Sequence, residues 1–160
     1  MQGHCHWLGA ASSVVAALAI PAGNYEGVKS MSDHPNVELV RRGYEAFSKG
    51  DLQTVDELFA DDIVWHESGA GPLGGERRSK KEVFEFFGEL AEKSNGTFAI
   101  EIHDVVGGDE HVVALNTAHA TRNGKSLNSK GADVWHVRDG KAVEFWHLAT
   151  DTAATDEFWS

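Results

Sequence analysis

Glu67 and Asp133 are the two acids whose surroundings could give them chemistry. Each lies on a stretch that reads as a strand, Asp62–Glu67 and Gly131–Val137, and both stretches are rich in tryptophan and valine. A carboxyl held among large apolar side chains loses its hydration, which favours its neutral form. That is how a protein obtains an acid or base that works near neutral pH. If both acids reach one cavity, proton transfer on an apolar compound is the chemistry to expect. Strand parity extends the set, because alternate residues share a face. Asp133 brings Trp135 with it and Glu67 brings Trp65, while His66 sits next to the expected base. Pairing through the Asn123-Gly124 turn is expected to put Thr117 and His119 on the cavity side, His119 as an assistant to Asp133. The plainer alternative for Asp133 is a structural ion pair with Arg122 or Lys130.

The elements that must position these residues follow from periodicity. Val37, Val40, Tyr44 and Phe47 mark one face of a first helix over Asn36–Lys49, with Asp33 or Asn36 as its cap. Asp51 caps a second helix with Leu52, Val55, Leu58 and Phe59 inward, stopped at Asp61-Asp62. Ser68–Arg78, with five glycines or prolines, reads as a loop beside Glu67 and matches no phosphate-binding fingerprint. Ser79 caps a third helix, Lys80–Lys93, whose inner face includes Val83, Phe84, Phe87 and Leu90. Four strands follow, with Asn123-Gly124 a hairpin signal and Asp139-Gly140 a second turn. Helices segregated from an antiparallel sheet give an α+β layer pair: three helices packed on a curved sheet, a cone with room between the layers.

Composition excludes several classes. Acids outnumber bases 25 to 14 in the 160 residues, for a net charge of −11, so a phosphate backbone is repelled and nucleic acid is not an expected partner. Cys5 is the only cysteine, so the chain holds no internal disulfide and no cysteine zinc cluster. The nine histidines show no metal-ligand spacing, and neither metal nor cofactor is expected. No Gly-x-Ser-x-Gly elbow is present for a serine hydrolase. Residues 1–30 differ from the rest: one acid, one base, and a short apolar run from Trp7 to Ala22. They read as a dispensable or disordered extension to a domain of residues 31–160. A secretion signal in residues 1–22 is the alternative to a cytoplasmic protein, and no membrane span is expected.

Four stretches carry a family resemblance: Lys49-Gly50-Asp51-Leu52, Leu58-Phe59-Ala60-Asp61-Asp62, Asp139-Gly140-Lys141 and Glu144-Phe145-Trp146. With them the chain resembles the SnoaL-like, ketosteroid-isomerase-related branch of the nuclear transport factor 2 superfamily over about residues 36–160. The resemblance implies a cone-shaped α+β fold that hosts isomerases, cyclases, hydrolases and binders, so it carries the fold further than the chemistry. It implies a general base eight residues after Phe59, which is Glu67. It implies a second, neutral carboxyl on the penultimate strand, donating a hydrogen bond to an enolate; here that is Asp133, and the handling of such an acid in ketosteroid isomerase is well understood. The phenol that partners this acid falls at Gly43, one place before Tyr44. The resemblance also turns the Glu144, Trp146 and Leu148 face of the last strand to the cavity.

The function expected is proton abstraction next to a carbonyl of an apolar cyclic or polyketide-like compound, by an isomerase or cyclase. Glu67, Asp133 and His119 form the catalytic set, and Tyr44, Phe87 and the tryptophans help bind the substrate. The alternatives are a non-catalytic dimeric module for a hydrophobic ligand or a protein, and a hydrolase like limonene epoxide hydrolase with Glu144 as a further acid. A homodimer through the outer sheet face is expected, with Val134, His136 and Phe145 contributing. The aromatic ending Phe158-Trp159 is expected to plug the cone or dock on a partner.

Overall fold

The computed structural model describes residues 33–160, so the expectations for residues 1–30 lie outside the described residues. Helix α1, Pro35–Ser48, has proline in its first turn and is capped by His34, whose ring accepts from the Asn36 N–H. The expected cap Asn36 instead donates its side-chain amide to the carbonyls of Gly108 and Asp109, tying the helix to a distant hairpin. Gly50, at φ +70°, closes the helix, and Asp51 caps α2, Leu52–Leu58. Strand β1, Phe59–Glu67, follows without a break and starts before Asp61-Asp62 rather than after it. The reason is Phe59, which is buried between strand and helices and packs on Trp65 and Trp135.

The glycine-rich segment is not all loop: Gly75–Arg77 forms a short strand, β2, at the sheet edge. Helix α3, Lys80–Lys93, is capped by Ser79 and buries Val83, Phe86 and Leu90. Strands β3 (Ala99–Gly107), β4 (His111–Arg122), β5 (Lys125–Arg138) and β6 (Lys141–Ala149) form an antiparallel meander. Both tight turns take positive φ at their two central residues, Asn123-Gly124 and Asp139-Gly140, as right-handed strand twist requires. A fourth helix, α4, Thr152–Trp159, was not expected; Asp151 caps it.

The sheet order is β2-β1-β6-β5-β4-β3, and β1 runs parallel to β6. That one parallel pairing brings Glu67, from the N-terminal half, alongside the meander. Helices α1, α3 and α4 pack on one face of the sheet. The apolar core between the layers joins residues of all four helices and five of the strands. No helix among the described residues is long and apolar enough to cross a membrane.

Candidate active site

Glu67 of β1 lies in register with His147 of β6, and His147 with Asp133 of β5. The three therefore form one rung across adjacent strands that run about 5 Å apart. The neighbouring rung is Trp65, Phe145 and Trp135. Trp65 and Phe145 stack with centroids 3.7 Å apart, and Phe145 and Trp135 lie 4.5 Å apart. An acid–histidine–acid row thus sits on an aromatic floor, which is the desolvating setting that shifts carboxyl groups. All six side chains line one cavity. Tyr44 and Phe47 of α1, Phe86 and Phe87 of α3 and Trp159 of α4 close it from the helical side.

Asp133 is 1% exposed. Its Oδ2 accepts from Tyr44 Oη at 2.5 Å, and its Oδ1 lies 2.7 Å from Nδ1 of His147. Trp135 Nε1 donates to Tyr44 Oη at 3.0 Å. An indole N–H can only donate, so the phenol accepts there and sends its own proton to Asp133. Buried acids need such partners. Arg122 is not one of them: its guanidinium holds the backbone carbonyls of Phe158 and Ser160. Tyr44 thus reaches the acid although its sequence position is one place from the expected phenol. The protein's own groups engage both Asp133 oxygens. Among the described residues nothing bonds Nε2 of His147, which is the nitrogen open to a ligand.

Glu67 is bonded by its neighbour on the same face, Trp65, whose Nε1 donates to Oε1 at 2.7 Å. Burial raises the Glu67 pKa to about 7, and the charge of Asp133 adds to the rise. His147, the Trp65 N–H and Arg77 oppose it and limit its size. For His147, burial disfavours the charged ring, but the Asp133 hydrogen bond and the charges of Glu67 and Asp133 outweigh it and raise its pKa. Burial, then the charge and hydrogen bond of Asp133, push the Tyr44 phenol well above its ordinary value, so it keeps its proton.

Other expected site residues lie elsewhere, for reasons of register. A two-residue turn pairs Arg122 with Lys125, so an odd position always faces an even one. Asp133 therefore shares its face with Ala114, Asn116 and Ala118 of β4, and Thr117 and His119 point to the opposite face. Thr117 bonds His103 there, and His119, 40% exposed, pairs with Glu101. On β6 the count changes a second time. Val137 pairs with Ala142 but His136 pairs with Glu144, so Val143 is an extra residue, a β-bulge. The bulge turns Phe145 and His147 into the cavity and Glu144, Trp146 and Leu148 out of it. His66 is also outside: its Nε2 is 2.9 Å from Glu144 and its Nδ1 3.2 Å from Glu76, with its ring stacked on Trp146. Phe145, expected on the outer face, is buried on the inner one.

His147 and Asn116 were missed; both follow from the register, which the bulge and the turn decide. Trp159, expected to plug the cone or dock on a partner, lines the cavity from α4, a helix whose signal was the capping Asp151 three residues before Ala154. Phe158 and Trp159 are buried, and Trp159 packs on Phe98 as part of the wall. Ser68, Gly74 and Asp156 also line the cavity. Asp156 Oδ2 accepts from the Ala70 N–H at 2.9 Å. A Cβ at position 69 or 71 would run into the Asp156 side chain. The glycines let the loop close onto α4.

Comparison with known proteins agrees with this architecture. The model of the SnoaL-like domain family matches residues 40–145. An uncharacterised protein of Mycobacterium tuberculosis is 32% identical over 131 residues, 81% of this chain and 100% of the relative. Among solved structures, Bal32a from a soil-derived mobile gene cassette is 32% identical with a TM-score of 0.76, covering 79% of this chain and 97% of that one. An NTF2-like protein of unknown function from Burkholderia pseudomallei is 28% identical with a TM-score of 0.71, over 79% and 98%. IdmH of Streptomyces antibioticus, a proposed polyketide cyclase, shares the fold at 23% identity and a TM-score of 0.63, over 77% and 97%.

Proposed function

Because the chain belongs to the SnoaL-like family, we propose that it is a small-molecule enzyme that removes a proton next to a carbonyl of an apolar cyclic or polyketide-like compound. The observation that carries this reading is the single rung of Glu67, His147 and Asp133 in an otherwise aromatic cavity. Glu67, with its pKa near 7, is a carboxylate often enough at neutral pH to accept a proton, and basic enough to take one from carbon. The electron pair of the broken C–H bond moves onto the carbonyl oxygen. His147 is the group placed to donate a hydrogen bond to that oxygen, with Asp133 balancing the imidazolium charge. Asp133 thus supports the donor, in place of the direct donation that the family resemblance implied. Return of the proton from Glu67 at another carbon gives an isomer; attack of the enolate carbon on a second carbonyl gives a ring.

The test does not need the natural substrate. The protein should speed exchange of the α-protons of 2-tetralone for deuterium, followed by NMR. Glu67→Gln should remove the catalysed exchange while leaving affinity for the ketone nearly unchanged. Exchange at the wild-type rate by that variant would take Glu67 out of the mechanism. The passive-binder reading predicts no catalysed exchange by either protein. The hydrolase reading loses its extra acid, because Glu144 is on the other side of the sheet.

The outer face supports a homodimer. Val134 and Trp146 are half-buried, and Leu115 and Leu148 are each 49% exposed on the same side. An isologous pairing would cover this apolar patch in both copies.

A further inference from the structure

Asn116 stands apart from the hydrogen-bond network of the acids. It projects from β4 into the cavity wall and is 3% exposed. Neither its Nδ2 nor its Oδ1 has a hydrogen-bond partner among the described residues. Asn116 pairs with Gly131 of β5, one rung beyond Asp133. A Cβ at Gly131 would come within 3.0 Å of His147 Cε1 and 3.5 Å of Asn116 Oδ1. The imidazole and the amide therefore converge over the same bare stretch of backbone.

A buried amide unpaired at both ends disfavours the folded state, and an apolar side chain there would serve packing better. Residues that oppose stability in this way gather where a ligand completes them. We propose that Asn116 is a ligand-recognition residue whose amide pairs edge-on with a planar, neutral ring compound carrying a hydrogen-bond donor and a carbonyl acceptor side by side. A lone carbonyl would satisfy Nδ2 and leave Oδ1 bare; the amide asks for both partners in one plane. The walls are aromatic rings, among them Trp65, Phe87 and Trp135, which favour a flat ligand. The amide is itself uncharged and brings no cation to hold an anion. A lactam edge, or the equivalent enolised hydroxy-carbonyl edge, has this chemistry.

The inference rests on the cavity being a ligand site, as in the proposed function, and not on Glu67 acting as a base. The probes are 2-quinolone, a lactam, and coumarin, the same bicycle with a ring oxygen in place of the N–H. Titration calorimetry should find 2-quinolone at least about tenfold tighter on the wild type. Asn116→Leu should abolish that preference and raise the Tm of the unliganded protein by about 2 °C or more. A structural asparagine would give a lower Tm instead, and that result would overturn the proposal. So would equal binding of the two probes, a preference retained in the variant, or no binding of either at millimolar concentration. Asn116→Ala, which cannot overpack the site, should lose the same preference for 2-quinolone. Failure of the base is read separately, in the deuterium exchange of Glu67→Gln.

Discussion

Glu67 should leave a mark on stability as well as on turnover. Its carboxyl titrates near 7 in the folded chain against an ordinary value of 4.5. The folded protein therefore binds this proton more tightly than the unfolded one. The contribution is fully present below pH 4.5 and is lost as pH rises through 7, to a total of about 3 kcal/mol. Glu67→Gln cannot ionise, so its denaturation midpoint should fall less than that of the wild type between pH 5 and 8, and should exceed it at pH 8. Parallel curves for the two proteins would mean that the carboxyl is not held in a dry site. Asp133→Asn tests the other end of the rung. It replaces an acceptor of two hydrogen bonds and removes a charge facing His147, so it should destabilise by about 2–4 kcal/mol in urea titrations.

At the scale of elements, the register of β6 governs which side chains meet the ligand. The two acids were legible in the sequence because each stands among tryptophans at alternate positions. Tyr44 was legible from helix periodicity, as the third apolar position of α1. His147 was not, because one extra residue at Val143 reverses parity along the last strand, and a bulge leaves no mark in hydrophobic alternation. His119 was misplaced by turn parity alone. The helix boundaries were readable from Asp51, Ser79 and Gly50, whose side chains or backbone do the capping. The long-range pairing of β1 with β6 was not legible, since no local signal specifies a parallel neighbour. The glycine loop that closes onto α4 yields its own test. Asp156→Ala removes the acceptor for the Ala70 N–H, and that amide should exchange with solvent about five- to tenfold faster.

For the whole molecule, the two faces of the sheet divide the labour. The inner face holds the acids and rings, and the outer face presents Val134, Trp146, Leu115 and Leu148 around histidines and Glu144. If that face joins two copies, Leu148→Arg should shift sedimentation toward the monomer at micromolar concentration while leaving the inner cavity and 2-quinolone affinity unchanged. An unaltered sedimentation coefficient would leave the apolar patch without that role.

Trp65, Trp135 and Trp159 are three of the chain's five tryptophans, and all three border the cavity. Their ultraviolet emission is therefore an optical gauge built into the wall. A planar guest sliding between them should quench or shift that light, while Trp146 on the far side would keep glowing unchanged. Screening for the natural compound can thus proceed with unlabelled protein, in a plate, before anything is known of the reaction.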